Sequence, residues 1–242
     1  KGWAAAPVIA LTLFIGAFVG FLQGYAVHEF KIAPFLITLA GQFLMRGMCA
    51  VVSTISIPIT NDFFKSAALA KISWVTASGS RPKLYYYVFF AIAIVIIAWY
   101  ILRFTRFGRA VYAVGSNEQS AQYMGLNVKG VKVGVYAING FCSALGGILF
   151  SFYTLAGYSL QNMGMELDAI SSAVIGGTLL TGGVGTVIGS MVGVLIQGII
   201  QTIVTYQNLN TWWTKVTIAA ILCFFIVIQR LIAIRAEKDK AA

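Results

Sequence analysis

Long apolar runs decide what this chain can become. They cover residues 3–27, 33–57, 84–102, 131–155, 184–206 and 214–234, and about 20 apolar residues in helical form cross the ~30 Å hydrocarbon core of a bilayer. A transmembrane β-barrel would show segments of about ten residues in strict alternation; these runs do not alternate. The expected fold class is therefore all-α, a polytopic transmembrane helical bundle. Composition agrees, with 59% hydrophobic and only 10% charged residues among 242, against about 25% charged in soluble domains. The first run is too long for a signal-peptide core and has no cleavage pattern after it.

The net charge of +10 reads, in such a chain, as an orientation signal in the loops rather than a nucleic-acid footprint. Cys49, Cys142 and Cys223 sit singly in apolar runs, without metal-ligand or disulfide-motif spacing. The loop 103–132 carries Arg103, Arg106, Arg109, Lys129 and Lys132 against Glu118, and the C-terminus carries Arg230, Arg235, Lys238 and Lys240 against Glu237 and Asp239. Both read as cytoplasmic. Parity then requires an even number of crossings between them, where only three long runs are visible. The fourth is a short or broken crossing near 167–181, placed at 166–181. At 1.5 Å per residue, Leu167–Leu180 reaches about 21 Å, less than the bilayer core. Irregular backbone at that depth must line protein or a watery cavity. With an external N-terminus and an external 57–83 segment, seven crossings result.

The stretch IGGTLLTGGVGTVIGSMVG (Ile175–Gly193) is rich in glycine but is no phosphate loop. No Lys or Arg occurs from Asp168 to Thr214, and the Gly-Lys-Ser/Thr ending is missing. Gly185, Gly189 and Gly193 recur every four residues, the spacing of one bare helix ridge on which backbones approach closely in lipid. Gln197 and Gln201 continue that ridge with amides, which line a polar route or hydrogen-bond between helices. Gly16, Gly20 and Gly24 form a second packing ridge.

Between the basic residues lies the segment Arg106–Gly130, most of it the polar stretch YAVGSNEQSAQYMGLNVKG (Tyr112–Gly130). Ser116 followed three residues later by Gln119 has the capping-box pattern, and Gly125 suits a helix C-terminus. A helix over Asn117–Met124 is expected, with Ala121 and Met124 able to share one face and Glu118 and Gln122 another. A helix this short needs something to pack against. An ordinary connector and a docking helix for a soluble partner both fit.

Here the chain resembles a known family. The segment Gly108–Val128, which ends in YAVGSNEQSAQYMGLNV, is similar to the cytoplasmic coupling loop of permease subunits of bacterial monosaccharide ABC importers, the ribose and galactofuranose group. GMELDAISSAVIGGTLLTGGVGTVIGSMVGVLIQGIIQT (Gly164–Thr202) and KIAPFLITLAGQFLMRG (Lys31–Gly47) resemble two further signatures. SIPI (Ser56–Ile59) and WWTKVTIAAIL (Trp212–Leu222) look most like the second permease of galactofuranose importers. Family members start further upstream, with more spans and a Gly-Gly-Ile-Asp-Leu-Ser motif. Residues 1–242 therefore read as a single permease domain lacking N-terminal spans.

The resemblance implies a non-enzymatic transport subunit in a bacterial inner membrane, with no catalytic residue, metal or cofactor of its own. It implies ABC ATPase subunits, a second permease subunit forming a homo- or heterodimer, and a periplasmic sugar-binding protein as partners. Ser116, Asn117, Glu118, Gln119, Ala121, Met124 and Gly125 would couple to the ATPase. The absence of a Walker A sequence fits that division of labour. Sugars call for hydroxyl, amide and carboxylate partners, so the candidate translocation path is Thr38, Gln42, Arg46, Asn139, Glu166, Asp168, Gln197 and Gln201. The two acids read first as N-terminal helix acids, with pairing of one to Arg46 or contact with the binding protein as the alternatives. His28, in a short turn, reads as solvated, and Trp212 and Trp213 as interface anchors. An ion-coupled secondary transporter of a small polar solute is the alternative. A membrane enzyme would need a nucleophile or ligand cluster that one His and scattered Cys do not supply.

Overall fold

Pro34 sits at the first position of a helix, where its missing N–H costs nothing, and the apolar run behind it stays helical for 19 residues, Pro34–Val52. The same logic builds most of the chain in a computed structural model that describes residues 5–73, 83–207, 212–213, 215–221 and 223–227. The helices are α1 (Ala5–Glu29), α2 (Pro34–Val52), α3 (Asp62–Leu69), α4 (Tyr86–Phe104), α5 (Arg106–Ser116), α6 (Glu118–Tyr123), α7 (Val128–Thr154), α8 (Met165–Ile175) and α9 (Val187–Tyr206). Residues 215–221 and 223–227 are also helical; the rest of the 214–234 run lies outside the described residues. Strand is confined, among the described residues, to two short antiparallel pairs, β1 (Ile57–Pro58) with β4 (Ala156–Gly157) and β2 (Lys71–Ser73) with β3 (Lys83–Tyr85). The protein is all-α, and among the described residues α1, α2, α4, α7 and α9 are long and apolar enough to cross a membrane.

Neither α2 nor α4 buries a single residue within the chain, and Phe35, Phe43, Phe90 and Ile96 are exposed. Water would not tolerate such surfaces; hydrocarbon does, because lipid tails are as apolar as these side chains.

The chain forms two compact units. One comprises Lys1–Ile97 and Gly125–Gln161. Its centre is the antiparallel pair α1–α7, joined backbone to backbone. A Cβ on Gly20 would strike the Tyr136 carbonyl, one on Gly24 would come within 2.9 Å of Val133 Cα, and one on Gly16 within 2.6 Å of Ala144 Cβ. Gly140 on α7 answers this ridge, lying against the Gly16 carbonyl. At one end Lys129 Nζ donates to Glu29 Oε2 at 2.9 Å and lies 4.9 Å over the Tyr25 ring. Elsewhere in the unit Asn61 caps α3, accepting from Phe64 N, and Phe64 stacks on Phe152 of α7 at 4.3 Å.

The second unit comprises Ala98–Met124 and Asn162–Ala242. Thr105 caps α5 through its hydroxyl, which accepts from Gly108 N at 3.1 Å. Gly108 itself abuts the Leu102 carbonyl, so a side chain there would stop α5 folding back on the end of α4. α8 and α9 are antiparallel and touch where Gly193 meets the Ser172 carbonyl and Gly189 the Gly176 carbonyl. The residues between them are not helical, and Gly177, Gly182 and Gly183 take φ of 88°, 91° and 75°. L side chains rarely adopt that conformation.

Two local expectations change. Gly185 is not on a helix ridge: α9 begins at Val187, capped by the Thr186 hydroxyl accepting from Gly189 N at 3.0 Å. Gly185 instead sits in the connection, against the Thr178 side chain, so the helical ridge reduces to Gly189 and Gly193. Ser116 is not the cap of the short helix; it is the last residue of α5, and its hydroxyl donates to Tyr112 O at 3.0 Å. Asn117, with extended backbone at φ −157°, takes the capping role through Oδ1, which accepts from Ser120 N at 2.9 Å.

Candidate functional site

Asn117 makes a single-residue joint. Its N–H closes α5 on Ala113 O while its side chain opens α6. Ala121 is the anchor of α6, 0% exposed, and Gly125 at φ 79° ends the segment as a left-handed glycine does. Glu118 and Gln119 are exposed. Beside them stand two large side chains with little to cover them, Met124 at 69% and Tyr123 at 89% exposed. Sequence reasoning passes over Tyr123, although a bulky ring next to Met124 in so short a helix is a usable signal for a docking face. The end of α5, Asn117, α6 and the two residues that close it, Met124 and Gly125, together carry the whole expected coupling set, Ser116 to Gly125.

The candidate path residues divide between the units. In the first, Thr38, Gln42 and Arg46 lie four apart on α2, forming one half-buried stripe. The Thr38 hydroxyl donates to its own helix, to Pro34 O at 3.0 Å. Asn139, on α7, is exposed, and its carbonyl accepts from the Ser143 hydroxyl at 2.9 Å. In the second unit Glu166 and Asp168 occupy the first turn of α8. Gln197, on α9, is 6% exposed, whereas Gln201 is half-buried. The contacts Ser172–Gly193 and Gly176–Gly189 set an antiparallel register; continued one turn, it puts Asp168 level with Gln197. Ser171 and Ser172, both buried on α8, turn their hydroxyls back onto Leu167 O and Ala169 O. Along this register an amide of α9 and a carboxylate of α8 stand at one level. No group of three or more potential metal-ligating side chains occurs among the described residues.

A cavity of about 430 Å³ opens in the second unit, lined by residues including Tyr112, Gly115, Ala173, Thr178, Val184 and Ser190. It lies where α5 meets the α8–α9 connection.

Residues 2–226 match the family described as branched-chain amino acid transport system / permease component. The chain belongs to this permease family. It is 41% identical over 239 residues to the inner membrane ABC transporter permease protein YjfF of Escherichia coli, covering 98% of this chain and 71% of that one. It is 34% identical to the fructose import permease protein FruG of Bifidobacterium longum over 233 residues, 96% of this chain and 68% of that one. It is 35% identical to the ribose import permease protein RbsC of Haemophilus influenzae over 217 residues, 89% and 65% of the two chains. No solved structure matches it. The permease is thus a multi-pass membrane protein and a transport subunit, not an enzyme.

Proposed function

We propose that this permease forms one half of the translocation path of an ATP-driven importer for a monosaccharide such as galactofuranose or ribose. The observation that carries the reading is similarity along nearly the whole chain to permeases named for fructose, ribose and galactose import. The family description speaks of amino acids, whereas these relatives are named for the import of sugars. The substrate arrives on a periplasmic sugar-binding protein, and a second permease subunit, identical or related, completes the pore. ABC ATPase subunits dock on α6, using Tyr123, Met124 and Glu118. The 103–132 loop and the C-terminus face the cytoplasm, as their basic residues require. Coupling works only if those docking contacts differ between pore states.

The test is uptake by the complete permease, assembled with its partner permease and ATPase in proteoliposomes, with binding protein and labelled ribose or galactofuranose supplied on the binding-protein side. ATP-dependent accumulation of either sugar is expected. Accumulation driven by a proton or sodium gradient without ATP would overturn the reading. So would ATP-driven uptake of leucine in place of sugar. On the docking side, Met124→Glu should cut co-purification of the ATPase about tenfold, since a Met-sized apolar contact is worth about 1.5 kcal/mol or more.

A further inference from the structure

Tyr112 lies on α5, outside the expected coupling set, yet it reaches far along the chain. Its hydroxyl donates to the Gly185 carbonyl at 2.9 Å, across 73 residues of sequence. Around that bond the last turn of α5 and the α8–α9 connection meet closely, backbone to backbone at Gly115 and with the Ser116 side chain against Gly183. A Cβ on Gly115 would lie 2.7 Å from Gly183 N, and one on Gly182 2.9 Å from Gly115 O. A Cβ on Gly183 would collide with Ser116 Oγ. The connection is itself stitched together. Leu179 N donates to Val184 O at 3.1 Å, Gly182 N to Leu179 O at 3.1 Å, and the Thr178 and Ser190 hydroxyls lie 3.4 Å apart. Gly176 then rests on Gly189 of α9.

We infer that Tyr112 is a positioning residue that latches α5 to the α8–α9 connection, so that a displacement of α6 is delivered at the break between α8 and α9. The inference rests on the reading of α6 as the ATPase contact and names the element that receives its motion. α6 continues from α5 through one residue, Asn117, so the two helices share a short, stiff joint. Backbone-to-backbone contact passes displacement on because packed interiors compress little. The neighbouring cavity of about 430 Å³ leaves the connection room to slip. The Tyr112 hydroxyl adds a directional tie to that packing. Transport therefore depends on the bond in a way that folding does not.

The deciding variant is Tyr112→Phe in the complete complex, which keeps the ring and removes the hydroxyl. The readout is sugar delivered per ATP hydrolysed. A lost hydrogen bond in the coupling element lowers that ratio about fivefold, while ATPase co-purification stays unchanged because α6 is untouched. A purely structural role would lower protein yield, uptake and hydrolysis together and leave the ratio alone; an unchanged ratio overturns the latch. If Tyr112→Phe does not accumulate in the membrane, Gly115→Ala, whose methyl wedges against Gly183, is read by the same ratio. A fall supports the latch and an unchanged value overturns it. A wild-type complex that shows no ATP-driven sugar uptake would overturn the transporter reading instead, so the two failures are distinct.

Discussion

Gly140→Ala and Gly147→Ala place the same methyl on the same helix with opposite surroundings. On α7 a Cβ at Gly140 meets the Gly16 carbonyl and comes within 3.1 Å of Gly20 Cα, whereas a Cβ at Gly147 has nothing within 4 Å. Both substitutions gain up to about 1 kcal/mol of helix propensity. At Gly140 the methyl presses on backbone, which cannot rotate away, so α1 and α7 must separate; overpacking of this kind costs about 1–3 kcal/mol. The two variants should therefore differ by about 1–3 kcal/mol, with Gly140→Ala the weaker. Unfolding of the detergent-solubilised protein, titrated with a denaturing detergent and read by far-UV circular dichroism, measures the difference. Equal midpoints for both variants would refute the claim that backbone contact between α1 and α7 holds this unit together.

Asn117→Ala removes the side-chain cap of α6, a loss of about 1 kcal/mol, and should weaken ATPase co-purification about fivefold while leaving membrane levels unchanged; undiminished co-purification would show that α6 needs no preorganisation. Gln197→Leu should reduce the maximal rate of sugar uptake at wild-type protein levels, because a buried amide facing the α8–α9 seam is replaced by an apolar group of similar size. Unchanged uptake kinetics would make Gln197 a packing residue.

Fold class was legible because length and apolarity act locally: a run of twenty or so apolar residues has one good conformation in lipid. The ridge of Gly16, Gly20 and Gly24 was legible too, but not its partner. Gly140 and Ala144 answer it from more than a hundred residues away, and pairing is a tertiary choice that spacing on one helix does not encode. Ser116 and Asn117 are both good caps, and the choice between them depends on how far α5 remains helical. Gly115 argues locally for an early stop, yet Gly115 is helical, and its missing side chain is what lets it lie against Gly183. Gly185 misled in the opposite direction. Its spacing from Gly189 is helical, but Thr186 caps α9 and leaves Gly185 outside. Tyr112 carried no local signal, since its bond to Gly185 exists only once the chain has folded.

The break between α8 and α9 has an electrostatic consequence. The two helices run antiparallel, so the negative end of one macrodipole and the positive end of the other meet in the same short connection and largely cancel. No charged side chain occurs from Ala169 to Thr214 to disturb that balance. The field at the connection is therefore nearly flat, while formal charge stands at the far end of α8, on Glu166 and Asp168. A charge introduced at the connection would meet no counter-charge on the chain from Ala169 to Thr214.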